Sequence, residues 1–414
     1  MAELALETSK ADNLAATLKG ELEANREGAF AINAVNSLIE KAVSLEASDI
    51  HIEPQEKGLR VRVRVDGFLQ ELGLVPQESS LLIITRIKLL AGMDISEKRL
   101  PQDGRILYKI VDKQINIRVS SLPTIHGERL VLRLLHQEKI VRPIESLNFS
   151  AGSLVQYKEM IGASQGIILI TGPTGCGKST TLYSTINYLY SGEKNIVTVE
   201  DPVEYHLEGI NQVQVNPKIG FDFSDALRTI LRQDPNVIMI GEIRDEKTAD
   251  IAVRAALTGH LVFSTLHTND APGAVTRLLD MKVEGYLIAA ALVGVVAQRL
   301  VRVICPACKV KTSLGKEEEM RLKRYLPTPI AAGTVYRGKG CPHCNRTGYK
   351  GRVAIHEVMR LTNTLKEHIN SDYSKSLAEE AKKRGMLTLQ EDGMRLVSEG
   401  ITTVAEVLRV SFAG

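Results

Sequence analysis

Residues Arg60 to Val65 alternate arginine and valine, the period of a half-buried strand with three arginines on one face. A helix is expected before it, over Phe30–Glu46, followed by the extended stretch Asp49-Ile-His-Ile-Glu53. A second helix is expected at Leu81–Met93, then strands at Arg105–Ile110, Gln114–Ser120 and Arg129–Leu135. Helix mixed with antiparallel-looking strands reads as a small α+β domain over 29–145, ending near Arg142-Pro143, with a linker at 146–155. Residues 1–28 are polar, and Leu14, Leu18 and Leu22 recur every fourth position, which suggests a helical connector.

From Gly166 the texture changes. Short apolar runs at Ile167–Ile170, Ile196–Val199, Val237–Ile240 and Leu261–Ser264 alternate with helical stretches. That order predicts an α/β domain over 156–304, with a mainly parallel sheet buried on both faces. Beyond it lie a four-cysteine module (305–345) and a helical C-terminal subdomain (346–414). A charged helix is expected at Glu317–Arg324, with Glu317/Arg321 and Glu319/Lys323 in i,i+4 register. Ser376-x-x-Glu379 and Thr403-x-x-Glu406 read as capping boxes. The longest apolar run, Tyr286 to Ala297, closes on Gln298 and Arg299 and is too short for a membrane span, which needs about twenty residues.

A chain of 414 residues is long enough for two or three domains. Charge is nearly balanced, 52 Lys+Arg against 49 Asp+Glu, which excludes a supercharged tail or polyanion sponge. The N-terminus has neither a basic n-region nor an apolar h-region, so it does not read as a secretory signal. A cytoplasmic protein that meets the membrane only through partners is expected.

The strongest chemical signal is Gly172-Pro173-Thr174-Gly175-Cys176-Gly177-Lys178-Ser179, followed by Thr180. It follows an apolar strand and opens a helix, so its glycines let backbone wrap phosphates while helix N–H groups face the anion. Lys178 can reach β/γ-phosphates and the Ser179 hydroxyl can ligate Mg²⁺; Cys176 has no separate role. Hydrolysis also needs carboxylates. Val237-Ile-Met-Ile-Gly-Glu242 ends a strand in an acid, although glycine precedes it, and Glu200-Asp201-Pro-Val-Glu204 ends another. Both would converge on the carboxyl edge of an open sheet. Thr258-Gly-His260 and Ser264-Thr-Leu-His267 bracket a further strand, and two such histidines can sense a γ-phosphate.

Four of the five cysteines form C-P-A-C and C-P-H-C, with 32 residues between the pairs. Cys305, Cys308, Cys341 and Cys344 suit one tetrahedral, structural Zn²⁺; two redox dithiols or an iron–sulfur site are alternatives. His343 can in principle replace a thiol.

GPTGCGKSTTLYSTIN, TVEDPVEYH, LRQDPNVIMIGEIRD and TGHLVFSTLHTND resemble the four signature boxes of the secretion and pilus-assembly ATPases. ASDIHIEP, RLPQDGR and HGERLVLRLL are similar to the same family, and the resemblance covers roughly residues 29–410. It implies a RecA-like P-loop motor domain preceded by a PAS-like domain, with ATP between them and six subunits in a ring. By resemblance, Glu204 is the general base, Glu242 the Walker B acid, and His260 and His267 the histidine-box pair. Arg118 and Arg133 match arginines that reach the nucleotide from the first domain. The four-cysteine module resembles that of the secretion and pilus-extension members, which favours assembly over disassembly. An inner-membrane platform protein is the implied partner. Larger relatives carry a further N-terminal domain that docks to a membrane-anchored protein, which leaves that recruitment an open expectation here. The alternatives are a DNA-uptake or DNA-transfer motor, for which Arg60, Arg62 and Arg64 are the candidate basic stripe, and a nucleotide-gated scaffold.

Overall fold

The computed structural model describes residues 27–110, 113–135, 141–316, 318–320, 335–370 and 374–411. The chain divides into two compact units, Met1–Glu138 and Lys139–Gly414.

The first unit is a six-stranded antiparallel sheet. Its strands are β1 (Asp49–Gln55), β2 (Gly58–Val65), β3 (Phe68–Pro76), β4 (Gln102–Ile110), β5 (Lys113–Thr124) and β6 (Gly127–Leu135), in the order β3-β2-β1-β6-β5-β4. Alternation sends Ile50, Ile52, Val61, Val63, Leu130 and Leu132 to one face, where they pack with helices α1 (Glu27–Ser44) and α2 (Gln77–Leu90). The opposite face of β1 and β2 carries the charges. Arg60 pairs with Glu71 at 2.7 Å, Arg62 with Glu53 at 2.8 Å and Arg64 with Asp49 at 3.5 Å. Each arginine of the candidate nucleic-acid stripe is therefore matched by an acid.

The second unit is built on a seven-stranded sheet of order β15-β12-β7-β11-β10-β8-β9. Strands β7 (Gly166–Thr171), β8 (Ile196–Glu200), β9 (Asn211–Gln214), β10 (Val237–Ile240), β11 (Leu261–Leu266) and β12 (Leu292–Ile304) run parallel. Every residue of β7, β8, β10 and β11 is buried, because apolar layers lie on both faces of the sheet.

Several expectations change here. The apolar run Tyr286–Ala297 is not one element: helix Gly285–Ala291 gives way to β12 at Leu292. The stretch 346–414 is not wholly helical, since β15 (Tyr349–Arg360) pairs antiparallel with β12 from Gly294↔Arg360 to Ile304↔Tyr349. The sheet thus continues past 304. Residues 146–155 are not a linker; they hold the end of a 3₁₀ turn (Ile144–Leu147) and the start of helix α3 (Ala151–Ile161), which the Ser150 side chain caps. Ser376 lies inside helix Ser374–Lys383 rather than at its cap. Thr403 does cap its helix, accepting from Glu406 N–H at 3.3 Å, but the Glu406 carboxylate turns away to Arg302 and Arg409. A complete capping box forms instead at Thr388 and Glu391. The expected helix around Leu14–Leu22 lies outside the described residues, as does most of Glu317–Arg324. No described helix is long and apolar enough to cross a membrane.

Candidate functional site

At the carboxyl end of β7 the chain turns through Gly172–Gly177 into helix α4 (Lys178–Leu189). Gly172, Gly175 and Gly177 have φ of 147°, 78° and 91°, values that side chains resist. The space is as restrictive as the angle. A Cβ on Gly172 would sit 2.5 Å from Gln298 O, and one on Gly177 would sit 2.8 Å from Gln298 Nε2. Pro173, Thr174, Gly175 and Ser179 are exposed, and Thr180 is half-buried beside them. Lys178 folds its ammonium onto Gly172 O (2.7 Å) and Pro173 O (3.1 Å), inside the curl that phosphate oxygens would fill. Burial lowers its pKa, although Glu242 is close enough to oppose that shift.

Glu242 follows β10, whose neighbour β11 separates it from β7. Its carboxylate accepts from Arg244 and lies 3.4 Å from His267 Nε2. Burial would raise the Glu242 pKa, but the hydrogen bond and charge of Arg244, with His267 beside them, hold it below the ordinary range. Arg244 also lies 3.8 Å from Asp201. The Ser179 hydroxyl and the Glu242 carboxylate are hard oxygen donors of the kind Mg²⁺ takes.

The acidic cluster after β8 splits into three environments. Glu200 is buried and accepts from Tyr183 Oη, from Thr198 Oγ1 at 2.6 Å and from Gln212 Nε2 at 3.1 Å, so it is a structural hub. Asp201 is exposed, and Glu204 is half-buried. The Glu204 backbone N–H donates to the same Tyr183 oxygen at 3.2 Å, which ties the loop carrying this carboxylate to α4. Beside Glu200, the Tyr183 phenol is pushed well above its usual range, mainly by burial.

The two histidines do not meet in this chain. His267 follows the carboxyl end of β11, beside Glu242. His260 precedes Leu261, at the other end of the strand, where its Nδ1 contacts Ala255 O at 2.9 Å and its carbonyl accepts from Gly166 N–H. Six strand residues span about 20 Å, so His260 cannot share the phosphate edge with His267.

Arg118 and Arg133 belong to the first unit. Register places Asp49, Arg133, Arg118 and Arg105 in one row across β1, β6, β5 and β4. Arg133 donates to Asp49 at 3.2 Å.

The four cysteine sulfurs lie within 4.8 Å of one another. Cys305–Cys341 and Cys308–Cys344 are 3.9 Å apart, and Cys341–Cys344 3.7 Å. A tetrahedral zinc with Zn–S near 2.3 Å requires sulfurs about 3.8 Å apart, so this cage fits zinc. Backbone N–H groups of Cys341 and Gly348 donate to Cys344 Sγ at 3.2 and 3.3 Å, which suits a thiolate. A two-stranded ribbon, β13 (Lys309–Thr312) with β14 (Val335–Gly338), lies between the two knuckles. Far from pairing as two separate dithiols, the four sulfurs form one group.

Sequence reasoning did not assign Arg244, Tyr183, Thr181, Gln298 or Arg299. The last two close an apolar run in the sequence, and their position one strand from the P-loop depends on β12 pairing with β7.

The family described as type II/IV secretion system protein matches residues 24–409. The type II secretion system ATPase E of Vibrio cholerae is 47% identical over 380 residues, 92% of this chain and 75% of that protein. The type IV pilus assembly ATPase PilB of Thermus thermophilus is 47% identical over 375 residues, 90% of this chain and 42% of that protein. Among solved structures, the pilus retraction motor PilT with bound ADP aligns with a TM-score of 0.60 and 27% identity, over 90% of this chain and 95% of that one. The ATPase DotB of Legionella pneumophila has a TM-score of 0.67 at 20% identity, over 92% and 95% of the two chains, a likeness of fold. The P-loop, the strand-end carboxylates and these relatives agree: the chain belongs to the type II/IV secretion system protein family and is an ATP-hydrolysing member of its secretion and pilus-assembly branch.

Proposed function

We propose that this ATPase works as a homohexamer, coupling ATP hydrolysis to an inner-membrane platform protein in type II secretion or type IV pilus assembly. The observation that carries the reading is the meeting, at one sheet edge, of the P-loop with Glu242 after β10 and with the Glu204 loop that follows β8. Phosphates bind the backbone of Gly172–Gly177, Lys178 neutralises them, and Mg²⁺ is held through Ser179 with Glu242 on the metal side. Glu204 takes the proton of the attacking water. Hydrolysis also needs a cation for the developing charge, and Arg118 and Arg133, which match the family's nucleotide-reaching arginines, are the candidates for it. His267 orients Glu242. Zn²⁺ at the four cysteines is structural, because four thiolates leave no open position for a water.

A DNA motor is the weaker reading, since Arg60, Arg62 and Arg64 are each spoken for by Glu71, Glu53 and Asp49. The deciding experiment measures native mass and ATP turnover of the purified chain, with and without duplex DNA and with platform-protein cytoplasmic domain. A six-subunit species whose turnover responds to the platform domain supports the proposal. Turnover that rises with DNA, and loses that rise as salt increases, overturns it in favour of the DNA motor.

A further inference from the structure

The P-loop is held from beneath by a residue far away in sequence. Gln298 is buried on β12, the strand adjacent and parallel to β7, one position beyond the pair Ala297↔Thr171. Its Nε2 donates to Cys176 O at 2.8 Å, and its Oε1 accepts from Thr181 Oγ1 at 2.7 Å. The orientation of the amide is fixed by chemistry, because only the NH₂ can face a backbone carbonyl. One side chain thus binds both the loop, at Cys176, and the first turn of α4, at Thr181. Its own backbone oxygen closes on Gly172, and its amide nitrogen on Gly177, the two glycines whose missing Cβ lets the loop lie this close. Arg299 extends the clasp: Nη1 donates to Gln298 O at 3.0 Å, and Nη2 to Asn269 O at 2.8 Å, two residues after His267.

We propose that Gln298 is a positioning residue for ATP, locking the P-loop backbone in its phosphate-binding curl through Cys176 and Thr181. This rests on the ATPase reading of the site. Gln298 touches no nucleotide in this scheme; it acts by sparing the loop the ordering that phosphate binding would otherwise demand. Loss of the clasp therefore appears as weaker nucleotide binding, and less as slower chemistry once ATP is bound.

The test uses the whole chain with Gln298→Met, close in size but unable to make either bond, and Thr181→Val, which removes the bond to Gln298 Oε1 and the longer contact to Gly177 O at 3.4 Å but keeps the bond to Cys176 O. Mg²⁺-ATP affinity is measured with a fluorescent ATP analogue, KM and kcat by phosphate release, and backbone amide exchange over 174–178 without nucleotide. The expected result for Gln298→Met is faster exchange at Cys176–Lys178, with Kd and KM raised together by about tenfold and kcat within about threefold. Thr181→Val is expected to show the same pattern, smaller. Unchanged exchange at 174–178, or a fall in kcat at constant KM and Kd, overturns the proposal. Because exchange and affinity are read without turnover, they judge the clasp even if the wild-type protein hydrolyses no ATP, an outcome that would instead defeat the ATPase reading. A variant that simply fails to fold would show exchange raised throughout both units; Thr181→Val, with its smaller perturbation, then carries the same two readouts and decides.

Discussion

Arg118 on β5 and Arg133 on β6 stand directly opposite each other in the antiparallel ladder, and Arg105 on β4 continues the row. Like charges directly opposite across a sheet are destabilising, and at the end of the row Asp49 answers Arg133's side of it with a bond at 3.2 Å. An anion brought against this row would change that balance. Arg118→Gln is therefore expected to leave the melting temperature within about 3 °C of wild type while lowering kcat by about 10³, the lower end of what an arginine finger supplies. Turnover close to wild type, or a large loss of stability, would assign Arg118 to the sheet alone. Thermal melting and phosphate release on the same preparation decide between these.

Glu204 and Glu242 differ in their surroundings, and their removal should differ too. Glu204 is half-buried on a loop whose backbone N–H donates to Tyr183, whereas Glu242 is held by Arg244 and His267. Glu204→Gln is expected to lower kcat by about 10²–10⁴ with ATP affinity kept, as for loss of a general base. Glu242→Gln is expected to weaken Mg²⁺ binding as well, seen as a higher Mg²⁺ concentration at half-maximal rate. Equal Mg²⁺ dependence in the two variants would contradict the division of labour.

What could be read from the sequence was local. The P-loop, the acid after Val237–Ile240 and the two cysteine knuckles are contiguous, and their chemistry follows from spacing within a few residues. The separation of His260 from His267 was also within reach, since a six-residue strand cannot bring its ends together. The clasp by Gln298 was not, because it arises only when β12 pairs with β7 across more than a hundred residues of chain. Nor was β15: Tyr349–Arg360 mixes glycine, three arginines or lysines and short apolar pieces, and becomes a strand by pairing with β12. Tertiary pairing outweighs weak local preference there.

The cysteine cage carries a prediction about metal. The purified protein is expected to contain one zinc per chain by elemental analysis. Cys344→Ser is expected to lower zinc content and melting temperature together, since Cys344 is buried and receives two backbone N–H groups. ATP affinity is expected to stay within about twofold, because the cage holds only thiolates and no open site. Zinc retained at full occupancy, or iron in its place, would refute the assignment.

His356 and Glu357, neighbours on β15, pull the pH dependence of stability in opposite directions. His356 is fully buried, stacked on Phe149 at 3.9 Å, and burial with the nearby Arg395 lowers its pKa from 6.5 to about 3. The unfolded chain then binds the extra proton below pH 6.5, so this residue costs stability as pH falls from 6.5 toward 3. Glu357 accepts from Ala271 N–H at 2.7 Å and from Leu389 N–H at 3.4 Å, joining the starts of two helices. Burial outweighs those bonds, with Asp270 adding to it, and raises its pKa from 4.5 to about 7. The folded state keeps a proton that the unfolded chain releases, so Glu357 costs stability as pH rises from 4.5 to 7. Each effect is on the order of a few kcal/mol at its limit. Relative to wild type, Glu357→Gln should therefore gain stability progressively between pH 4.5 and 7 and level off above. His356→Phe should gain relative stability in the reverse sense, as pH falls below 6.5. Urea unfolding of the three proteins at half-unit pH steps measures both differences. A Glu357→Gln difference that is flat from pH 4.5 to 7 would mean the carboxylate is charged in the fold, held by its two N–H donors, and would move the coupling of these helices from burial to hydrogen bonding.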